Sequence, residues 1–264
     1  MKIAIIGAGN IGTALAEGFS GIEKKGNITL TRRNLNQIEK YKKTGFRTSN
    51  SNVNAVKDAD IIILAVLPQQ INEVLKEITP AIHISKSIII STVTGISIQS
   101  IRDIIGNKAK VARAMPNTAL SLRESMTCIA FDGINEKEKK HIVNLFEQVG
   151  TTLIIKEEMM TAATALCACG IAFFMRAIRS ASQGGIEMGF HANEALQLAV
   201  QTAKGAAFLL QKENAHPEKE IDRVTSPKGC TIAGLNEMEH NGYSSAMIKG
   251  LLASFNKANE LYKK

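Results

Sequence analysis

The sequence predicts an α/β chain in two parts, a parallel sheet wound by helices over residues 1–156 and an all-α domain over residues 157–264. Three observations point there. MKIAIIGAGNIG runs an apolar stretch into a G-x-G-x-x-G turn at Gly7, Gly9 and Gly12. Apolar strands then alternate with helical segments as far as TTLII, and such alternation implies a parallel sheet with right-handed crossovers. From Glu157 onward alanine, methionine and leucine dominate and the strand-like pattern stops.

Each element has its own signal. After the first strand, NIGTALAEGFSGIEKKG places Ile11, Ala14, Leu15, Gly18 and Phe19 at helical spacing, so strand, glycine turn and helix follow in the order a dinucleotide fingerprint requires. NITLTRRN is a second strand, Leu35 to Lys43 a polar helix, the region around Phe46 a short strand, and Asn52 to Lys57 another helix. ADIIILAV is a strongly apolar strand. Helix Gln70 to Thr79, strand SIIISTV, helix Ile98 to Ile105, strands AKVARAM and SMTCIAFDG, a charged helix from Glu136 to Gln148 and strand TTLII complete the series. About eight strands make a Rossmann-type sheet with extra edge strands.

Beyond Glu157, Met159 to Met188, Ala192 to Glu213 and Ile232 to Leu261 read as three long helices. The first is apolar on nearly every face. A helix of that kind has to be buried on all sides, which implies a C-terminal all-α dimerisation domain packed against a second copy of the chain.

Composition narrows the function. Hydrophobic residues make up 45% of the chain, enough for a core. Uninterrupted apolar runs such as Ile61 to Leu67 and Ile88 to Ile90 are too short to span a bilayer, and the N-terminus goes directly into a strand, so a cytoplasmic protein without membrane association is expected. Cys128, Cys167, Cys169 and Cys230 lack C-x-x-C spacing and the histidines are scattered, so reduced structural thiols and no metal site are expected. The net charge of +8 is carried by lysines and arginines interleaved with acids, and aromatics are only 5%, which argues for a surface that attracts small anions and against nucleic acid.

In this fold the glycines let backbone approach a pyrophosphate, and the residues ending the second strand read the adenosine ribose. A carboxylate there would mark NAD. This chain has Thr31, Arg32, Arg33 and Asn34, and two guanidiniums suit a 2′-phosphate, so NADPH is the expected cofactor and NADH the poorer alternative.

The segment HPEKEIDRVTSPKGCTIAGLNEME resembles the signature of pyrroline-5-carboxylate reductases, the last enzyme of proline biosynthesis, in which a V-x-S-P-G-G-x-T loop precedes a helix. Val224, Ser226, Pro227, Gly229 and Thr231 match the loop, and His216, Pro217 and Asp222 match the run before it. RAMPNT (Arg113 to Thr118), Ala65, Val66 and Pro68, a turn ending at Gly95, and Gly184, Gly185, Met188 and Gly189 match elsewhere, in the right order along essentially the whole chain.

The resemblance implies an oxidoreductase that reduces 1-pyrroline-5-carboxylate to L-proline by hydride transfer from NADPH to a protonated cyclic imine. It also implies a homodimer of intertwined helical domains, which some members build into decamers. Cofactor contacts would come from Ile6, Gly7, Ala8, Gly9, Asn10, Ile11 and Gly12, from Thr31, Arg32 and Arg33, from Asn52, from Ala65, Val66, Leu67 and Pro68, and from Thr92, Val93 and Thr94, with Glu157 near the cofactor at the domain junction. Asn52 reads equally as a helix N-cap. Pro227 and Gly229 would shape a turn whose amides at Gly229, Cys230 and Thr231 open a helix and favour the substrate carboxylate, with Val224 and Ser226 in the same substrate site. Thr231 is the candidate catalytic residue, its hydroxyl beside the ring nitrogen as a positioning or proton-relay group.

The chain also departs from the family's pattern. Where members carry S-G-S-G-P-A-Y it has Cys167, Ala168, Cys169, Gly170, Ile171, Ala172 and Phe173. Loss of the proline is expected to straighten the helix, and the cysteines remove hydrogen-bond donors. Leu67 replaces the usual lysine, Ala119 the usual proline after RAMPNT, and Lys228 a glycine, so Lys228 is expected to keep its backbone out of positive φ. A reductase of a related larger or sulfur-containing cyclic imine acid, and a non-catalytic NADPH-binding paralogue, stay open as alternatives.

Overall fold

The computed structural model describes residues 1–261. They divide into two compact units, Met1–Cys169 together with the segment from Ser254, and Gly170–Ala253.

The first unit is built on an eight-stranded sheet. Its elements in chain order are β1 (Ile3–Ile6), α1 (Asn10–Phe19), β2 (Ile28–Thr31), α2 (Glu39–Lys43), β3 (Arg47–Ser49), α3 (Asn52–Val56), β4 (Ile61–Leu64), α4 (Ile71–Ile78), β5 (Ile88–Ser91), α5 (Ile98–Ile105), β6 (Lys110–Met115), β7 (Ser125–Asp132), α6 (Glu136–Glu147), β8 (Gly150–Ile154) and α7 (Met160–Ala163). The spatial order is β3-β2-β1-β4-β5-β6-β7-β8. β1, β4 and β5 are buried along their whole length, as strands covered on both faces by helices must be, and so they read as unbroken apolar runs. Leu15, Phe19 and Phe146 pack on one face, and Leu75, Ile78 and Ile101 on the other.

The last two strands run against the other six. β7 pairs antiparallel with β6, while β8 pairs parallel with β7. The link from Met115 to Ser125 holds only a 3-10 turn, too short for the crossover that a parallel neighbour needs. These last two strands are the expected edge additions.

Helices make up the second unit: α8 (Gly170–Glu187), α9 (Ala192–Leu210), α10 (Pro217–Arg223), α11 (Cys230–His240) and α12 (Tyr243–Leu261), whose residues from Ser254 count with the first unit. The expected single helix from Ile232 to Leu261 is in fact two. Asn241 and Gly242 break it, the latter at φ 76, where glycine alone is unstrained. The short helix α10 has no counterpart among the expected elements.

The first long helix also differs from expectation. Loss of the proline does not make it regular: Thr164–Cys169 is a π-helical stretch between α7 and α8. The Thr164 hydroxyl donates to the Met160 carbonyl at 2.8 Å, the kind of back-bonding that loosens an α-ladder. Nor is the helix buried all round within the chain. Leu166, Phe174 and Met175 are exposed, as are Leu198 and Phe208 on α9 and Ile248 and Leu252 on α12. The expectation that no segment could cross a bilayer needs correcting too: the continuous helix Glu157–Glu187, 31 residues with a mean hydropathy of 1.7 in its most apolar window, is long and apolar enough. Its apolar character is spread between polar interruptions, which a search for unbroken runs passes over.

Candidate active site

The carboxyl ends of β1 and β4 meet where the strand order reverses, the position at which sheets of this type take ligands. Gly7 leaves β1 at φ 101, and a Cβ there would stand 2.5 Å from the Ala65 carbonyl oxygen and 2.9 Å from Val66 Cγ1. A Cβ on Gly12 would run into the Gly7 carbonyl oxygen. Gly9 is the contrast, since a Cβ there would meet nothing within 4 Å. The first two glycines make the turn close-packed, and the third leaves an open cradle.

Gly9 is the N-cap of α1 without a capping side chain, and the first turn holds no acid. Among the described residues, the amides of Asn10, Ile11 and Gly12 therefore have neither an intrahelical acceptor nor a side-chain one at the positive end of the helix. Ile6 and Ala8 are buried, and the Ala8 amide is spent on the Thr31 carbonyl at 2.9 Å. These residues fit a dinucleotide pyrophosphate, the unfilled donors being those of the helix.

Beside the cradle, a chain of hydrogen bonds ties the end of β2 to α3. The Gly7 amide donates to Thr31 Oγ1 at 3.3 Å, the Thr31 hydroxyl to Asn52 Oδ1 at 2.7 Å, and Asn52 Nδ2 to Glu77 Oε2 at 2.9 Å. Asn52 is not the helix cap. Ser51 takes that role, its hydroxyl accepting from the Asn54 amide at 3.2 Å. The two arginines separate as well: Arg32 donates to the Ala8 carbonyl at 2.5 Å and braces the turn, whereas Arg33 is exposed with no polar partner among the described residues. Asn34 caps a 3-10 turn by accepting from the Asn36 amide at 3.1 Å.

Past β4, the Ala65 amide donates to the Ile6 carbonyl at 2.8 Å, Ala65 and Val66 are half-buried, and Leu67 and Pro68 are exposed at the start of a 3-10 turn. Past β5, both the amide and the hydroxyl of Thr92 bond the Leu64 carbonyl at 3.0 Å, and the Thr94 hydroxyl lies 4.0 Å from Met115 Sδ. The Val93 side chain is in the core, so only its backbone faces this end of the sheet. Glu157 Oε1 accepts from the Ile98 amide at 2.7 Å and pairs with the buried Arg113 guanidinium at 3.3 Å. Glu77 carries no signal in the sequence, whereas Arg113 has one, as it begins the RAMPNT match.

The Val224–Thr231 loop belongs to the second unit. The Gly229 amide donates to the Ser226 carbonyl at 2.9 Å, closing a turn with Pro227 at its second position and Lys228 at its third. This corrects two expectations. The Gly229 amide is spent on the turn, so of the three expected donors those of Cys230 and Thr231 remain in the first turn of α11. Lys228 adopts φ 58, the left-handed third position that distinguishes a type II turn from the type I turn that proline second would equally allow. Gly229 itself is extended, and there a Cβ would overlap the Ser226 side chain. Val224, Ser226, Cys230 and Thr231 are exposed, and the Thr231 hydroxyl has no hydrogen-bond partner among the described residues.

Left-handed backbone costs a residue with a Cβ about 1–2 kcal/mol, of which glycine's freer unfolded chain gives back about 0.5–1 kcal/mol. Lys228→Gly is therefore expected to stabilise the protein by about 0.5 kcal/mol, read as a higher denaturation midpoint, whereas Lys228→Ala is expected to leave it unchanged.

Comparison with known proteins places this geometry. A family profile described as pyrroline-5-carboxylate reductase dimerisation matches residues 157–261, and one described as NADP oxidoreductase, coenzyme F420-dependent, matches residues 2–95. The chain is similar to pyrroline-5-carboxylate reductase 2 of Dictyostelium discoideum, with 45% identity over 98% of this chain and 92% of that protein. It is 47% identical to pyrroline-5-carboxylate reductase 1 of the same organism over 98% of this chain, but spans only 50% of that protein's length. Among solved structures, Plasmodium falciparum pyrroline carboxylate reductase with NADP bound superposes with a TM-score of 0.90 at 28% identity, covering 99% of this chain and 98% of that one.

Proposed function

The chain belongs to the pyrroline-5-carboxylate reductase family, and on that premise we propose that it reduces 1-pyrroline-5-carboxylate to L-proline with NADPH. The observation that carries the reading is a likeness running through nearly the whole of a reductase of comparable length, joined to an unsatisfied helix N-terminus behind an open Gly9. The chemistry NADPH supplies when bound is a hydride for the imine carbon.

In this reading the amides of Asn10, Ile11 and Gly12 hold the pyrophosphate, and Arg33, the uncommitted guanidinium, takes the 2′-phosphate. Arg32 serves indirectly by bracing Ala8. Thr31 and Asn52 shape the adenosine side, and Ala65 to Pro68 and Thr92 to Thr94 border the rest of the cofactor. Glu157 positions the α5 end of this border through the Ile98 amide. The amides of Cys230 and Thr231 hold the substrate carboxylate, Val224 and Ser226 line the same loop, and the Thr231 hydroxyl orients the ring nitrogen. A protonated imine accepts hydride without a strong acid, so positioning and exclusion of water are the main tasks of these residues.

Residues 1–156 act as the dinucleotide-binding domain and 157–264 as the helical dimerisation and substrate domain. The exposed apolar faces of α8, α9 and α12 are covered by a second copy of the chain, which suits a dimerisation profile over the same residues better than a membrane span does. The working protein is a cytoplasmic homodimer, open to assembly into decamers, without nucleic-acid or membrane partners.

The test is loss of NADPH absorbance on adding 1-pyrroline-5-carboxylate to the purified protein, with L-proline identified as product. Turnover with NADPH, slower with NADH, is the expected result. Arg33→Ala is expected to raise the KM for NADPH roughly tenfold or more and leave that for NADH unchanged, as loss of a charge-assisted phosphate contact requires. NADPH binding with no turnover of five- or six-membered cyclic imines would overturn the reading.

A further inference from the structure

Cys128 lies on β7 and Cys167 in the π-helical stretch, both within the first unit, with their Sγ atoms 3.9 Å apart. Cys128 is buried and Cys167 is half-buried. A disulfide requires about 2.05 Å between sulfurs, so closing this pair takes a movement of roughly 2 Å. The needed slack lies where Cys167 sits, because a π-helical turn is a widened ladder that can return to α-helical pitch.

We infer that Cys128 and Cys167 form an oxidisable dithiol that a hydroperoxide closes to an intramolecular disulfide, lowering turnover. The two thiols differ in role. The two sulfurs share a hydrogen-bonding contact that lowers the Cys167 thiol to about 7 and, together with burial, pushes the Cys128 thiol up. Cys167 is thus both the more accessible sulfur and the thiolate that attacks first.

The step balances with hydrogen peroxide as oxidant. The Cys167 thiolate attacks a peroxide oxygen, the O–O bond breaks, hydroxide leaves and takes up a proton as water, and Cys167 becomes a sulfenic acid. The Cys128 sulfur then attacks the Cys167 sulfur, the S–O bond breaks, and the leaving hydroxide takes the Cys128 proton as a second water. Two thiols and one peroxide give one disulfide and two waters.

The bond would be felt at the end of β6. The Cys167 carbonyl accepts from Asn117 Nδ2 at 3.3 Å, and Asn117 Oδ1 in turn accepts from the Ala119 amide at 3.0 Å, capping the 3-10 turn that follows RAMPNT. Drawing Cys167 toward β7 disturbs this contact, next to the Thr94 and Met115 contact that borders the proposed cofactor cleft. The effect on turnover rests on the proposed function; formation of the bond does not.

The experiment treats the full chain with hydrogen peroxide over a pH series and maps unreduced peptides by mass spectrometry, with NADPH oxidation followed in parallel. The expected result is a Cys128–Cys167 linked peptide that disappears on reduction, forms faster as pH rises through about 7, and accompanies a several-fold loss of turnover restored by dithiothreitol. Cys169→Ser is expected to keep the linkage and Cys128→Ser to remove it; if Cys128→Ser folds poorly, Cys167→Ser serves the same purpose. Oxidation that leaves Cys128 unlinked while Cys167 proceeds to the sulfinic acid, or linkage through Cys169 or Cys230 instead, overturns the proposal. A complete linkage with turnover unchanged overturns its regulatory half, and because mass alone reads the bond, failure of the reductase reading is seen separately.

Discussion

Gly12→Val should sharply weaken NADPH binding. A Cβ at Gly12 falls on the Gly7 carbonyl oxygen, and Gly7 has no room to retreat, because it lies against the Ala65 carbonyl and Val66. Relief has to come from opening the turn, which moves the α1 amides off the pyrophosphate. Overpacking of this kind costs about 1–3 kcal/mol of stability, and displacing three convergent donors is expected to weaken NADPH by roughly 100-fold or more. Gly9→Val separates the two effects. Its Cβ has open space around it, so the fold is expected to keep its denaturation midpoint while NADPH affinity still falls, the side chain standing where the pyrophosphate would approach. Titration of NADPH fluorescence beside thermal unfolding reads both. Undiminished affinity in Gly9→Val would remove the cradle from the argument.

Thr231→Ala is expected to lower kcat/KM for 1-pyrroline-5-carboxylate by roughly 100-fold, the scale seen for positioned donors in other enzymes. The residue is exposed in the first turn of α11 with its hydroxyl uncommitted among the described residues, so its loss breaks no internal hydrogen bond of the protein. Unfolding behaviour and the NADPH dissociation constant should therefore stay as they are. Thr231→Ser, which keeps the hydroxyl, is expected to recover most of the lost rate. A rate unchanged in Thr231→Ala would leave the α11 amides holding the carboxylate and remove the hydroxyl from the chemistry.

The strands of the first unit were legible because they are covered on both faces and so write themselves as apolar runs, IAII, IIIL and IIIS, between turns. The glycine turn was legible for a related reason: a strand before it and an amphipathic helix after it leave it one local geometry. Chain direction in the edge strands was not. β7 runs antiparallel because of the short link before it, and the same apolar pattern serves either direction.

At the site, residue types were readable and their commitments were not. Two adjacent arginines look alike in sequence, yet one is folded back onto the Ala8 carbonyl and the other has no polar partner among the described residues. Ser51 and Asn52 both suit a helix cap, and only the register of α3 decides between them. Lys228 takes a left-handed conformation that its Cβ disfavours, and type I and type II turns read alike in the sequence. The loss of proline suggested a straight helix, but a threonine hydroxyl bonded to the preceding turn accompanies a π-helical stretch there.

Local rules thus settled what the chain is: periodicity, glycine spacing and the ordered motifs each depend on neighbours within a few residues, and they identify the sheet, the helical second half and the cofactor class. Which donors are free, which arginine is available, and that Cys128 and Cys167 meet across 39 positions of sequence depend on packing between distant segments. Those outcomes are competitions among contacts that no short stretch contains.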